Sequence, residues 1–458
     1  MDSLLTKAAT SIFERLSTSL DGELVLPSSP GWDEARTAWN LAVDQRPAAV
    51  VLAESASDVA KTVQIARSAG LRVAPQGTGH GATPLGDLSD TILLRTSRMR
   101  GVSVDARRHT ARVEAGVLWQ ELTDAAAEHG LAGLAGSSHD VGVVGYTLGG
   151  GISWLARKYG LSSNSVLAAE IVDAEGNERR VDYDNDPDLF WAIRGGGAFA
   201  VVTAVEMRLY PIEEIYAGTL FFPIDGAREV LSAWLELTDR APDELMSVGR
   251  LMRFPDLPMV PEPVRGKEFA LVEVAYLGSE ADGIELTRPL RELGPVLDTT
   301  AMIPARRLSE LHMDPPAPVP GIGDGRLLDA LSIETVDAIV EAAGAESGST
   351  LLSVEVRQLG GALGRRAEGD GAAFLDSEFA LFAVGIAPPV PEIVAKTRGD
   401  VARVLAAVDP WESGRDYLNF REDRTTGERL FSGETHARLR AIKEAVDPAN
   451  VIRSNHEV

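Results

Sequence analysis

Three glycine-rich stretches crowd the first half of this chain and constrain its fold more than any other feature: Gly77-Thr78-Gly79-His80-Gly81, Gly149-Gly150-Gly151 and Gly195-Gly196-Gly197. Glycine permits close backbone approach, and successive N–H groups that converge in a loop can hold an anion without a charged side chain. Ahead of the first loop, the apolar run Ala49–Leu52 reads as a strand and Ser57-Asp58 as a helix N-cap. Val59, Val63 and Ala66 follow at helical spacing, Gly70 stands as a C-cap, and Leu71–Ala74 begins a second strand. This is a βαβ unit, but Asp90–Leu94 reads as a further strand where a Rossmann unit would place a helix, so the loop is not the dinucleotide fingerprint. Taken alone it is either a tight turn or a phosphate cradle. Gly149-Gly150-Gly151 stands ahead of a predicted helix over Ile152–Tyr159, which suits an anion at a helix N-terminus or close packing against a strand. Gly195-Gly196-Gly197 follows a helix opened by Asp186-Pro187 and reads as a C-cap and turn. With few basic side chains among them, the three loops favour a large phosphate-bearing cofactor held mostly by backbone.

Strand-like alternation continues through Val102–Asp105 and Thr110–Gly116, followed by a helix over Leu118–Glu128, a hairpin turning at Glu175-Gly176-Asn177 and a strand over Val201–Leu209. Between about Pro211 and Ala407, strands such as Lys267–Val274 and Thr350–Val356 alternate with helices such as Ala227–Leu237 and Ile333–Ala343. That pattern predicts an antiparallel sheet covered by helices, a second α+β domain. The length of 458 residues and 45% hydrophobic content suit two or three domains. Zero cysteines exclude disulfides, thiolate–metal sites and attachment of a cofactor through sulfur. A net charge of −24 makes nucleic acid a poor partner. Met1–Ser19 carries no apolar run long enough for a signal peptide or membrane span, so a soluble, cytoplasmic protein is expected. No second histidine stands at metal-ligand spacing from His80, and no metal site is expected.

Four motifs together carry a resemblance. Pro75–Gly81, Val141–Gly151, Asp188–Gly197 and the C-terminal Arg438–Lys443 with Asp447–Asn450 look like the berberine bridge enzyme-like flavoproteins, members of the vanillyl-alcohol oxidase superfamily with a PCMH-type FAD domain. The likeness runs from about Arg46 to Asn455 with the motifs in the family's order. It implies a two-subdomain FAD-binding domain over residues 1–212, a substrate domain over 213–410 and a C-terminal segment, 411–458, that returns to the FAD domain. It also implies that His80 bonds the 8α-methyl of the flavin and that Gly77, Thr78, Gly79 and Gly81 wrap the diphosphate. Gly142, Gly145, Gly149 and Gly150 would line the cofactor, Val202 would meet the adenine end, and Asn455 would lie near the isoalloxazine. Val141 stands where the family places a small gatekeeper associated with oxygen reactivity.

Departures from the pattern refine the expectation. Ser138 stands where many relatives carry a second, cysteinyl link, so attachment through His80 alone is expected. Gln76 replaces an arginine of the attachment loop, and Ala198 and Ala200 replace the usual asparagine and glycine. In Tyr417-Leu418-Asn419-Phe420 the second aromatic, a tyrosine base in alcohol-oxidising relatives, is Phe420, which accepts no proton. Other candidates for catalysis are Tyr417, which strand alternation would turn away from Leu418 and Phe420, together with Tyr146, Glu355 and Gln358. Glu355 shares a face with Arg357 and could simply pair with it. The resemblance thus implies an FAD-dependent oxidase that moves hydride from a C–H bond of an alcohol, sugar or secondary metabolite to flavin N5 and reduces oxygen to hydrogen peroxide. Its partners would be a small-molecule substrate and oxygen. Oxidation of a C–N bond in an amine is the first alternative, and flavin binding without redox turnover the second.

Overall fold

Ala49–Leu52 is an inner strand because nothing along it is polar, and it sits almost wholly buried. It belongs to a four-stranded sheet ordered Glu23–Val25, Ala49–Leu52, Thr91–Arg95, Arg72–Gln76, in which the last three strands are parallel. The structure, a computed structural model, describes residues 12–458, so the segment 1–11 of the expected leaderless N-terminus lies outside the described residues. The helix Ala56–Ala69 makes the parallel crossover and ends at Gly70 in the left-handed region, φ 68°. Its cap differs from the expectation: the Ser55 hydroxyl, not Ser57 or Asp58, accepts from the Asp58 amide. Asp58 is buried instead and accepts from the backbone amides of Asp21, Gly22 and Glu54, tying the incoming chain to the helix.

The second sheet has five antiparallel strands ordered Val102–Asp105, Thr110–Glu114, Val201–Arg208, Val166–Val172, Glu178–Asp182. The helices Trp119–Ala127, Val143–Leu148 and Pro187–Ile193 bury Trp119, Leu122, Val143, Val144, Leu189 and Phe190 against it. One expectation fails here. Gly149-Gly150-Gly151 does not open a helix; it ends one, with Gly149 capping Val143–Leu148, and the next helix is the single turn Ala156–Tyr159. Gly150 and Gly151 take φ of 109° and 81°, conformations that terminate a helix rather than start one.

The third sheet is eight-stranded and antiparallel, drawn from strands between Glu214 and Ile386, with Leu245–Arg253, Ser353–Gln358 and Phe379–Ile386 near its centre. The helices Ala227–Thr238, Ile333–Ala343 and Pro391–Val408 cover one face, where Trp234, Val336, Ile339 and Val404 pack on Val354 and Val356. The residues between those valines therefore point to the other face. The last helix, Gly433–Val446, buries Leu439 and Ile442 in the core of the second sheet. Beyond it the chain rejoins the first sheet: the Val73 amide donates to Val451 O at 2.7 Å and the Arg453 amide to Val73 O at 2.8 Å. Among the described residues no helix is long and apolar enough to cross a membrane.

Candidate active site

A cavity of about 440 Å³ opens between the first two sheets and the uncovered face of the third. One wall is backbone. It consists of Gly77–Gly81 after the strand Arg72–Gln76, Ser138 and Val141, the helix N-cap Gly142 with Gly145, and Gly149, Gly197, Val202 and Ser454–His456. All but one of the residues expected to hold the cofactor line this cavity; Gly150 lies just behind it. Gly142 and Gly145 sit three apart, on one side of the short helix. A side-chain carbon placed at Gly145 would meet nothing within 4 Å, so the wall there is bare backbone open to the cavity. At Gly149 the opposite holds: a Cβ would collide with the Asn419 amide, whose Nδ2 donates to Tyr146 O at 2.9 Å.

His80 projects from this wall. Trp39 stacks on its ring with centroids 4.1 Å apart and planes 19° from parallel. The Thr78 hydroxyl lies 2.8 Å from Nδ1, and Asp140 Oδ1 lies 3.5 Å from Nε2. Trp39 Nε1 donates to the other Asp140 oxygen at 2.5 Å, and the Ser138 hydroxyl is 3.5 Å from Asp140 Oδ1. Asn455 Nδ2 donates to Gly81 O, which fastens the C-terminal segment onto the loop.

The facing wall is built of charged side chains on the open face of the third sheet. Register aligns them: Arg250 stands across from Glu355, while Val248 stands across from Glu273 on one side and Arg357 on the other. Arg250 donates to Glu273 at 3.2 Å, to Ser353 Oγ at 2.6 Å and to His312 O at 2.6 Å. His312 Nδ1 lies 2.7 Å from Glu273, and its Nε2 closes on Glu355. Arg357 Nε donates to Glu355 at 2.8 Å, and its Nη2 to Ser137 Oγ at 3.2 Å. Burial and Arg250 pull the His312 pKa down, yet Glu273, Glu355 and Asp314 outweigh them and raise it to about 9. Burial pushes Glu355 up, but Arg357 and His312 prevail and hold it below the usual carboxylate range. Arg357 Nη1 has no hydrogen-bond partner among the described residues, and the guanidinium carbon lies 5.2 Å from the Phe420 ring centroid.

The expected catalytic residues separate on this geometry. Glu355 lines the cavity but is spent on Arg357 and His312. Gln358 is not in the site: strand alternation turns it to the helix-covered face, where it accepts from Ser247 Oγ at 3.0 Å and donates to Thr238 O at 3.0 Å. Tyr417 lies ahead of a short 3₁₀ turn, Leu418–Phe420, so the strand alternation applied to it does not hold. Its oxygen accepts from the Gly151 and Ile152 amides at 2.9 and 3.1 Å and from Asn419 Nδ2 at 3.2 Å, and burial, partly offset by those bonds, raises its pKa to about 12. The hydroxyl serves as a structural acceptor. Tyr146 lines the cavity edge-on to Trp119, and burial holds its phenol well above the ordinary value.

Arg250, Glu273 and His312 escape the sequence reading. A usable signal exists for the first two, since each is a charge inside an otherwise apolar strand. Trp39 and Asp140 carry no such signal.

The cavity also fits a large polar cofactor. Gln76 Oε1, His80 Nε2 and Tyr146 OH are buried in its lining without a hydrogen-bond partner, whereas buried polar groups are normally satisfied. A family model described as FAD binding domain matches residues 47–182, and one described as berberine and berberine like matches residues 416–458. The (R)-6-hydroxynicotine oxidase of Paenarthrobacter nicotinovorans is 28% identical over 96% of this chain and 97% of its own length. The glucooligosaccharide oxidase of Sarocladium strictum is 34% identical over 43% of this chain and 40% of its own. The crystal structure of 6-hydroxy-D-nicotine oxidase from Arthrobacter nicotinovorans superposes with a TM-score of 0.81 at 27% identity, covering 95% of this chain and 97% of that one. Physcomitrella patens BBE-like 1 superposes at 0.84 with 19% identity over 97% of this chain and 98% of that one, a likeness of fold. Backbone cradle, unpartnered polar groups and both matched segments converge on one conclusion: the chain carries an FAD-binding domain and a berberine-like C-terminal segment, and its relatives are FAD-linked oxidoreductases.

Proposed function

We propose that the protein is an oxidase of a small hydroxyl-bearing substrate, with FAD attached at one point only, through His80. FAD bound in the cavity supplies a two-electron acceptor that takes hydride from a substrate C–H bond and passes the electrons to dioxygen, giving hydrogen peroxide. Gly77–Gly81, Gly142 and Gly145 bind it through backbone amides and bare surface, which an acidic chain needs if a diphosphate is to be held. Ser138 offers no thiol, and His80 is the nucleophile left beside the loop.

The carrying observation is the Arg357 guanidinium, which lines the cavity and is held by Glu355 and Ser137, with Nη1 left without a hydrogen-bond partner among the described residues. A fixed cation in the lining favours an oxygen that gains negative charge over an ammonium group. Arg357 orients the substrate hydroxyl and stabilises the charge on its oxygen as hydride leaves, in the place where Phe420 can take no proton. A second reading, oxidation of a C–N bond, draws on that same Phe420, because a neutral amine loses hydride without a base, and on the likeness to an oxidase of 6-hydroxynicotine, itself an amine. Anaerobic mixing with alcohols, sugars and amines, followed by air, separates them. We expect flavin bleaching by alcohols or sugars, peroxide on admission of air, and a raised KM in Arg357→Met. Bleaching by amines alone would replace the first reading with the second, and bleaching by none of them would overturn both.

A further inference from the structure

We propose that Asp140 is a positioning residue that fixes the tautomer and orientation of His80 for bonding to the flavin, an inference that rests on the single-attachment reading above. Trp39 holds both partners at once. Its indole stacks on the imidazole at 4.1 Å, and its Nε1–H donates to Asp140 Oδ2 at 2.5 Å. That leaves Oδ1 at 3.5 Å from His80 Nε2, a buried nitrogen with no hydrogen-bond partner among the described residues. Burial works to raise the Asp140 pKa, but the nearby His80 imidazole and the N–H of Trp39 outweigh it and hold the carboxyl below the usual carboxylate value. A carboxylate only accepts, so the nitrogen facing it carries the proton. The lone pair then resides on Nδ1, where the Thr78 hydroxyl donates to it at 2.8 Å and can rotate away.

The chemistry balances on these atoms. A bond forms between Nδ1 and the methyl carbon at position 8 of the flavin ring, and one methyl C–H bond breaks. Asp140 takes the Nε2 proton as the imidazole becomes substituted. The two electrons left on the ring pass to dioxygen, which takes up the C–H and Nε2 protons and leaves as hydrogen peroxide, returning the ring to its oxidised state. A carboxylate on the far nitrogen raises the basicity of the bonding one, as it does for metal-bound imidazoles.

The test reads attachment, not turnover. Apoprotein is incubated with FAD in air, bound flavin is measured by absorbance, and the acid-precipitated pellet is assayed over time for retained flavin. Asp140→Asn keeps an oxygen for Trp39 but takes no proton; it should bind FAD and attach it at least about tenfold more slowly, and Asp140→Glu should recover part of the rate. Attachment by Asp140→Asn at the wild-type rate would overturn the role of Asp140 while leaving His80 as the site. If the wild-type pellet is colourless, or His80→Ala retains the flavin, the attachment reading itself fails. If neither Asp140 variant binds FAD, the carboxylate supports the loop rather than the imidazole, and the inference is overturned.

Discussion

The two walls of the cavity are made in opposite ways. The glycine-rich wall is nearly all backbone, contributed by short contiguous runs such as Gly77–Gly81 and Val141–Gly149. The facing wall is nearly all side chain, and its charges come from strands and a loop far apart in sequence: Arg250, Glu273, His312, Glu355 and Arg357. A backbone wall binds by shape and dipoles and carries little charge of its own. A side-chain wall of buried ions holds together only while every partner is present, because each charge has been taken out of water.

That contrast can be broken at its strongest point first. Glu273 is fully buried and answers both Arg250 and His312. Glu273→Ala should cost about 3–5 kcal/mol in denaturant unfolding, the scale for leaving a buried charge unpaired. A loss below about 1 kcal/mol would show that the cluster is relaxed by water and that the walls differ less than the geometry indicates.

Titration separates the walls next. The His312 pKa is raised from its unfolded value near 6.5 to about 9. Its contribution to stability is therefore complete below about pH 6.5 and is lost as pH rises through 9, because over that window the folded state holds a proton that the unfolded state has released. The whole window corresponds to at most roughly 3 kcal/mol. Unfolding measured across pH 6–10 should show this decline, and His312→Gln should remove it. A decline of the same size in His312→Gln would place its origin elsewhere.

The smallest effect tests the backbone wall. Gly145→Leu puts a side chain into open cavity without displacing protein atoms. In the His80→Ala background, where FAD is free to dissociate, its dissociation constant should rise by about tenfold, near 1.4 kcal/mol, with little change in the stability of the apoprotein. Unchanged FAD affinity would mean that the cofactor does not lie against this helix.

Legibility in the sequence divides along the same line. The strand Ala49–Leu52, the helix ending at Gly70, the hairpin at Gly176 and the Ile333–Ala343 helix were readable because each is set by neighbours a few residues away. The Gly149–Gly151 error arose because three glycines end a helix as readily as they precede one. Only the turn back toward Tyr417, whose hydroxyl takes the Gly151 and Ile152 amides, decides which. Gln358 shares a strand with Glu355, and which face each takes is fixed only by the helices above Val354 and Val356.

What the sequence determined by itself is the glycine-rich wall and the limits on its chemistry. Glycine spacing is a local property of the backbone, His80 stands inside the loop, and a chain without cysteine can make no thioether link. What the tertiary structure alone decided is the charged wall and the setting of His80. Strand register brings Arg250, Glu273 and Glu355 onto one face beside His312, and a loop from outside the motif lays Trp39 on the imidazole. The physical reason is that buried charges and stacked rings depend on partners distant in the chain, which spacing along a sequence does not encode.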